Sequence, residues 1–305
     1  MKYIPSINIE SGIHQEFQYI VTPNAKEVLG NIVESFHSGI HSFTIIGNYG
    51  TGKSSYIVGL EKDLENGTSN LVTNRNVFGD VTAFEFMNIV GDYASLSDVL
   101  SAKLDIANFA DSKNIFEALS NKYKECKKNG KFLFIVIDEF GKILEYAANN
   151  NPEKELYFLQ KLAEFVNHPS RNVILLTTLH QNFGSYAYKL NDAQRNEWLK
   201  IKGRYKEIVF VEPVEQLMFL ASEQLNGNLA TMKENAKTNF IQLYSLAKKN
   251  NILSESLSLE TAKKLYPLDP IAASCLTFSI QRYGQNERSL FSFLAATGRG
   301  SLRDY

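Results

Sequence analysis

Residues 47–54 read Gly-Asn-Tyr-Gly-Thr-Gly-Lys-Ser, the G-x-x-x-x-G-K-S pattern of a phosphate-binding loop (Walker A). Its flanks fix what the chain around it must be. Ser42–Ile46 is a short apolar run suited to a buried strand, and residues 55–64 carry the period of a helix. A strand, a glycine-rich turn and a helix N-terminus together point backbone N–H groups at one anion. Gly47, Asn48, Tyr49, Gly50, Thr51, Gly52, Lys53, Ser54 and Ser55 are therefore the candidate nucleotide-binding residues. Lys53 would reach the β- and γ-phosphates, and the Ser54 hydroxyl would face Mg²⁺.

A second stretch completes the pattern. Residues 132–137, Phe-Leu-Phe-Ile-Val-Ile, form a strand buried on both faces, and Asp138-Glu139 follow at its C-terminal end. Ligands of open α/β sheets bind at that end. This is the Walker B pattern, with Asp138 holding Mg²⁺ and Glu139 polarising the attacking water. A carboxylate in the second position argues for hydrolysis as well as binding. An N-K-x-D base motif is absent, so ATP is favoured over GTP.

The other segments alternate in the same way. Thr22-Pro23 opens a helix whose stripe is Val28, Leu29, Ile32, Val33 and Phe36. Strands are expected at 82–90, 172–178 and 207–211, with helices from Ser95 (boxed by Asp98), over 114–127, over 152–167 and over 191–200. This makes residues 1–212 an α/β core with a parallel sheet and an N-terminal arm over 1–21. From Pro213 the strand signal fades. Helices over 214–225, 230–250, 258–266, 270–283 and 286–296 make 213–305 an all-helical lid.

Composition excludes little. Apolar residues are 44% and charged ones 21%, and Lys plus Arg (32) nearly balances Asp plus Glu (33), for a net charge of −1. Nothing in that balance calls for nucleic acid, although a local patch would suffice. The densest basic cluster, Lys122, Lys124, Lys127 and Lys128, reads as a solvated helix face. Cys126 and Cys275 have no C-x-x-C company, and a reducing cytoplasm fits them. No signal-peptide core follows Met1 and no apolar run is long enough to span a bilayer, so a cytoplasmic protein without membrane contact is expected. His37 and His41 are split by Ser38-Gly39 and are not expected to share a metal.

Walker A, Walker B with Asp-Glu, a hydroxyl-ended strand and a helical lid, in that order, resemble the AAA+ ATPases over nearly the whole chain. The resemblance implies a P-loop NTPase three-layer α/β/α core, Mg-dependent ATP hydrolysis and a homo-oligomer. It also implies three further site residues. Thr178 falls at the sensor-1 position, with Thr177 and His180 as alternatives. Arg204, in Gly203-Arg204-Tyr205, falls at the arginine finger, with Arg195 as alternative. Arg288, after Gly284, falls at sensor 2. The wording of 40–47, 138–142 and 285–291 is more narrowly similar to large ATPases of bacterial phage-defence islands, including the BREX-associated kind, akin to the origin-recognition and STAND branches. That likeness implies an ATP-driven switch in antiviral defence with an effector partner protein. Those proteins are longer, and the ending at 298–305 fits truncation. A nucleic-acid motor or loader built on the same core would need a basic pore loop or winged helix, neither of which is identifiable. A small-molecule kinase would need an Arg-rich lid and has less use for Glu139.

Overall fold

The computed structural model describes residues 7–11, 19–67, 71–106, 112–227, 229, 234–283 and 294. Five strands form one sheet: β1 (Ser42–Ile46), β2 (Ala83–Val90), β3 (Lys131–Asp138), β4 (Val173–Leu179) and β5 (Lys206–Val209). Their order is β2-β3-β4-β1-β5, and every neighbouring pair is parallel. From β1 the chain crosses to the far edge, returns through β3 and β4, then passes β1 to reach β5. The C-terminal ends of β1, β3 and β4 therefore lie side by side, where such sheets bind ligands.

β3 shows why the sheet is buried on both faces. Phe132 through Ile137 are all fully buried. Leu133, Ile135 and Ile137 join one core, whereas Phe132, Phe134 and Val136 join the other, as the period of two requires. The helices sort accordingly. α1 (Pro23–His37) and α2 (Lys53–Asn66) cover one face. α3 (Leu96–Lys103), α4 (Ser112–Lys128), α5 (Phe140–Asn149), α6 (Pro152–Val166) and α7 (Asp192–Lys202) cover the other. The result is the three-layer α/β/α core. Each fully buried aliphatic or aromatic side chain contributes about 1.5–3 kcal/mol, so the hydrophobic run of β3 is a principal anchor of the sheet.

Local chemistry fixes the helix starts. Thr22 accepts the Ala25 N–H at 3.0 Å, with Pro23 in the first turn. Ser95 caps α3 through the Ser97 N–H and also donates to Glu155 of α6 at 2.8 Å. The reciprocal capping box forms elsewhere, between Asn191 and Gln194 at the start of α7. The structure differs from the sequence reading in the extents of one strand and two helices and in one added helix. The last strand ends at Val209, although the Phe210 N–H still reaches the Ile46 carbonyl at 2.6 Å. The helices expected over 230–250 and 258–266 occupy Glu234–Lys249 and Leu259–Lys264. α5 is additional, directly after Asp138-Glu139.

The chain divides into two compact units, one of Ile7–Asn48 and Gly52–Phe210, the other containing Tyr49–Thr51 and the chain from Val211. Pro213 lies just after that division and precedes α8 (Val214–Leu225). In the second unit, α8, α9 (Glu234–Lys249) and α11 (Pro270–Tyr283) supply Met218, Ala221, Ala247 and Ala273 to a core that Leu257 and Leu265 join from the segments flanking α10 (Leu259–Lys264). Its described elements are helical. Helix 286–296 and Arg288 lie outside the described residues. Among the described residues, no helix is long and apolar enough to cross a membrane.

Candidate functional site

The loop between β1 and α2 departs from ordinary backbone where its glycines stand. Gly50 has φ +74° and Gly52 has φ +91°, a region in which a Cβ would be strained. Gly52 is the N-cap of α2 and offers no side chain to its N–H groups, so the first turn keeps its donors for an anion. Asn48, Tyr49 and Gly50 are exposed, Thr51 and Ser55 half-buried, and Lys53 is buried at the start of α2.

Lys53 is folded back onto the loop. Its ammonium donates to the Gly47 carbonyl at 2.6 Å and the Asn48 carbonyl at 2.9 Å, and lies 3.4 Å from His180 Nδ1. Burial pushes its pKa down to about 8, against the opposing pull of Asp138 and Glu139. Ser54 Oγ donates to Asp138 Oδ2 at 2.7 Å, joining the end of β3 to the first turn of α2. These two oxygens are the hard donors Mg²⁺ requires, and that convergence is how the residues fit the ion. Among the described residues, no group of three or more His, Cys, Asp or Glu could hold a metal. A Mg²⁺ here would take Ser54, Asp138, water and phosphate oxygens.

Thr178 is fully buried and engaged on both sides. Its hydroxyl donates to Asp138 Oδ1 at 2.5 Å and accepts the Glu139 N–H at 3.0 Å. It therefore fixes the Asp138 carboxylate and the turn that follows. Thr177 is also buried, paired with Thr44 Oγ1 at 2.9 Å and the Phe43 carbonyl at 3.1 Å inside the sheet. Of the three polar residues considered at the end of β4, His180 is the one beside Lys53. Burial, then Lys53, and more weakly Lys142, push its pKa down to about 4 against Asp138. The ring is thus neutral at pH 7.

Glu139 has φ +53°, rare for a residue with a side chain, and is the N-cap of α5 without a side-chain cap bond. Its carboxylate pairs with Lys142 at 2.5 Å. The turn is held from the neighbouring strand as well, because the Gly91 N–H donates to the Asp138 carbonyl at 2.7 Å. A Cβ on Gly91 would stand 2.7 Å from the Glu139 carbonyl oxygen and 3.0 Å from that of Asp138. Gly91 directly follows the strand expected over 82–90, and the sequence gives neither it nor Lys142 a role. The one available signal was a glycine directly after a strand neighbouring the Walker B strand.

Arg204 sits elsewhere. Its carbonyl accepts from Ser42 Oγ at 2.5 Å and Asn167 Nδ2 at 3.4 Å, and its guanidinium lies 3.5 Å from Glu164. Ser42 begins β1 and Gly47 follows its end, so about 16 Å of strand separates Arg204 from its own loop. That is more than an arginine side chain spans. Arg195 donates to the Leu190 carbonyl at 3.2 Å and lies 3.7 Å from Asp192. On the basic helix, Lys122 is tied to Glu85 at 3.0 Å.

No family model matches the chain, and no curated protein is similar to it. Several solved structures are similar in chain path. The Aeropyrum pernix ORC2 protein, solved as ADPNP–ADP complexes, is 12% identical with a TM-score of 0.44, over 69% of this chain and 54% of that one. Cdc6p from Pyrobaculum aerophilum is 15% identical with a TM-score of 0.36, over 90% and 66%. The Walker-type ATPase paby2304 of Pyrococcus abyssi is 12% identical with a TM-score of 0.40, over 90% and 71%. This chain spans about half the length of the first of these.

Proposed function

We propose that the chain binds Mg·ATP at residues 47–55 and hydrolyses it. The observation that carries this reading is the convergence of Lys53, Ser54, Asp138 and Glu139 beyond the C-terminal ends of β1 and β3, tied by the 2.7 Å Ser54–Asp138 bond. An incoming triphosphate offers Lys53 better acceptors than the two loop carbonyls it now holds, and α2 directs its free N–H groups at the same anion. Mg²⁺, held by Ser54 and Asp138, would supply neutralisation of charge on the phosphate oxygens. Glu139 takes a proton from water, the oxygen attacks the γ-phosphorus, and the bond to the β-γ bridging oxygen breaks to leave ADP and phosphate.

Glu139→Gln tests the chemistry. The variant should keep Mg·ATP binding and lose turnover on the order of 10²- to 10⁴-fold, the usual share of a general base. Unchanged single-turnover hydrolysis would remove Glu139 from the mechanism.

The finer reading is a nucleotide switch. Arg204, too far from its own loop, suits a neighbouring copy's phosphates, which supports a homo-oligomer. The sequence resemblance supports a lid role for the helical segment 213–305 and a sensor-2 role for Arg288, which lies outside the described residues. The wording shared with phage-defence ATPases supports a setting in antiviral defence with a partner effector, and the near-balanced charge of the chain does not call for a nucleic-acid motor.

A further inference from the structure

The carbonyl of Arg204 stands in the turn between α7 and β5, where water would ordinarily satisfy it. Two side chains from distant elements take it instead. Asn167 is the C-cap of α6, and the fully buried Ser42 opens β1. Asn167 Oδ1 accepts the His41 N–H at 2.7 Å, which settles the orientation of the amide. Its Nδ2 therefore faces Ser42 Oγ at 2.8 Å and the Arg204 carbonyl at 3.4 Å. The single Ser42 proton goes to the nearer of its two acceptors, the Arg204 carbonyl at 2.5 Å against Asn167 Oδ1 at 3.2 Å. Donors thus run one way, from Asn167 to Ser42 to Arg204, and each bond polarises the next. The same turn is closed by the Arg204 N–H on the Ile201 carbonyl at 2.9 Å, and the buried Tyr205 hydroxyl donates to the Leu159 carbonyl of α6 at 2.9 Å.

The head group is held differently. The guanidinium is 41% exposed and 3.5 Å from Glu164, whose carboxylate also takes Gln160 at 2.8 Å and Lys161 at 3.1 Å. An exposed pair of that kind holds loosely. Arg195, by contrast, commits its guanidinium to the Leu190 carbonyl of its own chain at 3.2 Å. A fixed main chain beneath a loosely held cation suits a residue that must reach a second molecule. We infer that Asn167, acting through Ser42, is a positioning residue that sets where Arg204 meets the phosphates of a neighbouring copy. The inference rests on the proposed hydrolysis and on the proposed role of Arg204 toward a neighbour. A cation displaced by about 1 Å from a transferring phosphoryl group loses on the order of a hundredfold in rate.

The test uses the full chain and compares wild type, Asn167→Asp, Ser42→Ala, Arg204→Ala and Lys53→Ala, alone and in equimolar mixtures. Mg·ATP affinity, kcat and thermal melting are the readouts. Asn167→Asp keeps the acceptor for His41 but puts an oxygen where Nδ2 stood, so it draws the Ser42 proton off the Arg204 carbonyl. It should bind ATP as wild type does and lose kcat about ten- to a hundredfold. Ser42→Ala removes the last donor with little change of volume and should lose about two- to tenfold, the worth of one hydrogen bond. Mixing either variant with Lys53→Ala should restore hydrolysis, because the Lys53→Ala copies lend a well-placed Arg204. Mixing either with Arg204→Ala should not. Wild-type kcat in both variants overturns the inference. So does a loss that Lys53→Ala copies fail to restore while they do restore Arg204→Ala, since the fault would then lie in the variant's own site. Recovery on mixing with Arg204→Ala overturns it too. A wild type without hydrolysis, or an Arg204→Ala that is fully active or beyond restoration by Lys53→Ala, removes the reading beneath. An impaired but restorable Arg204→Ala beside unimpaired Asn167→Asp and Ser42→Ala removes only the positioning.

Discussion

At the scale of single residues, Lys53 links burial to a measurable pH response. Its amine must be charged to bind phosphate, and burial has brought its pKa to about 8. Phosphate raises that pKa in the complex, so between pH 7 and pH 9 the free chain loses a proton that the complex keeps. ATP affinity should fall through this window, approaching about tenfold per pH unit above pH 8. Isothermal titration at pH 7, 8 and 9 checks this, and a flat profile would contradict it. Without nucleotide the sign reverses for stability. Above pH 8 the unfolded chain holds the proton longer than the folded one, so this group's contribution to folding stability rises with pH toward the free-lysine value of about 10.4. His180, with its pKa near 4, stays neutral throughout and adds nothing to either slope.

At the scale of elements, the Walker B turn depends on its neighbours. Gly91 at the end of β2 and Thr178 at the end of β4 hold Asp138-Glu139 from the two flanking strands. Gly91→Ala forces a methyl against two carbonyl oxygens, a strain of about 1–3 kcal/mol. It should lower the melting temperature and reduce kcat tenfold or more with little change in ATP affinity, because it moves Glu139 and not the loop. Thermal melts with parallel kinetics read both, and a variant identical to wild type would show the approach to be unimportant. How far such features are legible in sequence follows from their range. The loop and β3 were legible because each is a contiguous pattern set by local rules, glycine conformations in one case and burial of both strand faces in the other. α5 was not, since Glu139 starts it with left-handed backbone instead of an ordinary cap and Gly141 follows at once. The engagement of Thr178 and the pairing of His180 with Lys53 arise between residues 40 and 127 positions apart, and no local pattern encodes them.

At the scale of the whole molecule, the core brings the loop and Walker B residues together at the C-terminal ends of the strands and leaves Arg204 at the N-terminal end of β1, held by Ser42, Asn167 and Glu164. If Arg204 serves a neighbour, Arg204→Ala should bind ATP normally and lose activity on the order of a thousandfold or more. Mixing it with Lys53→Ala should restore hydrolysis, since each variant then supplies what the other lacks. An inactive mixture of co-assembled chains would contradict the role, and the same behaviour in Arg195→Ala alone would transfer it. All of this stands on nucleotide binding at one loop. The most direct measurement is the equilibrium titration of wild type and Lys53→Ala with Mg·ATP, with circular dichroism confirming that both are folded. The account predicts saturable one-site binding by wild type and none detectable by Lys53→Ala. Equal affinity in two folded chains would contradict it.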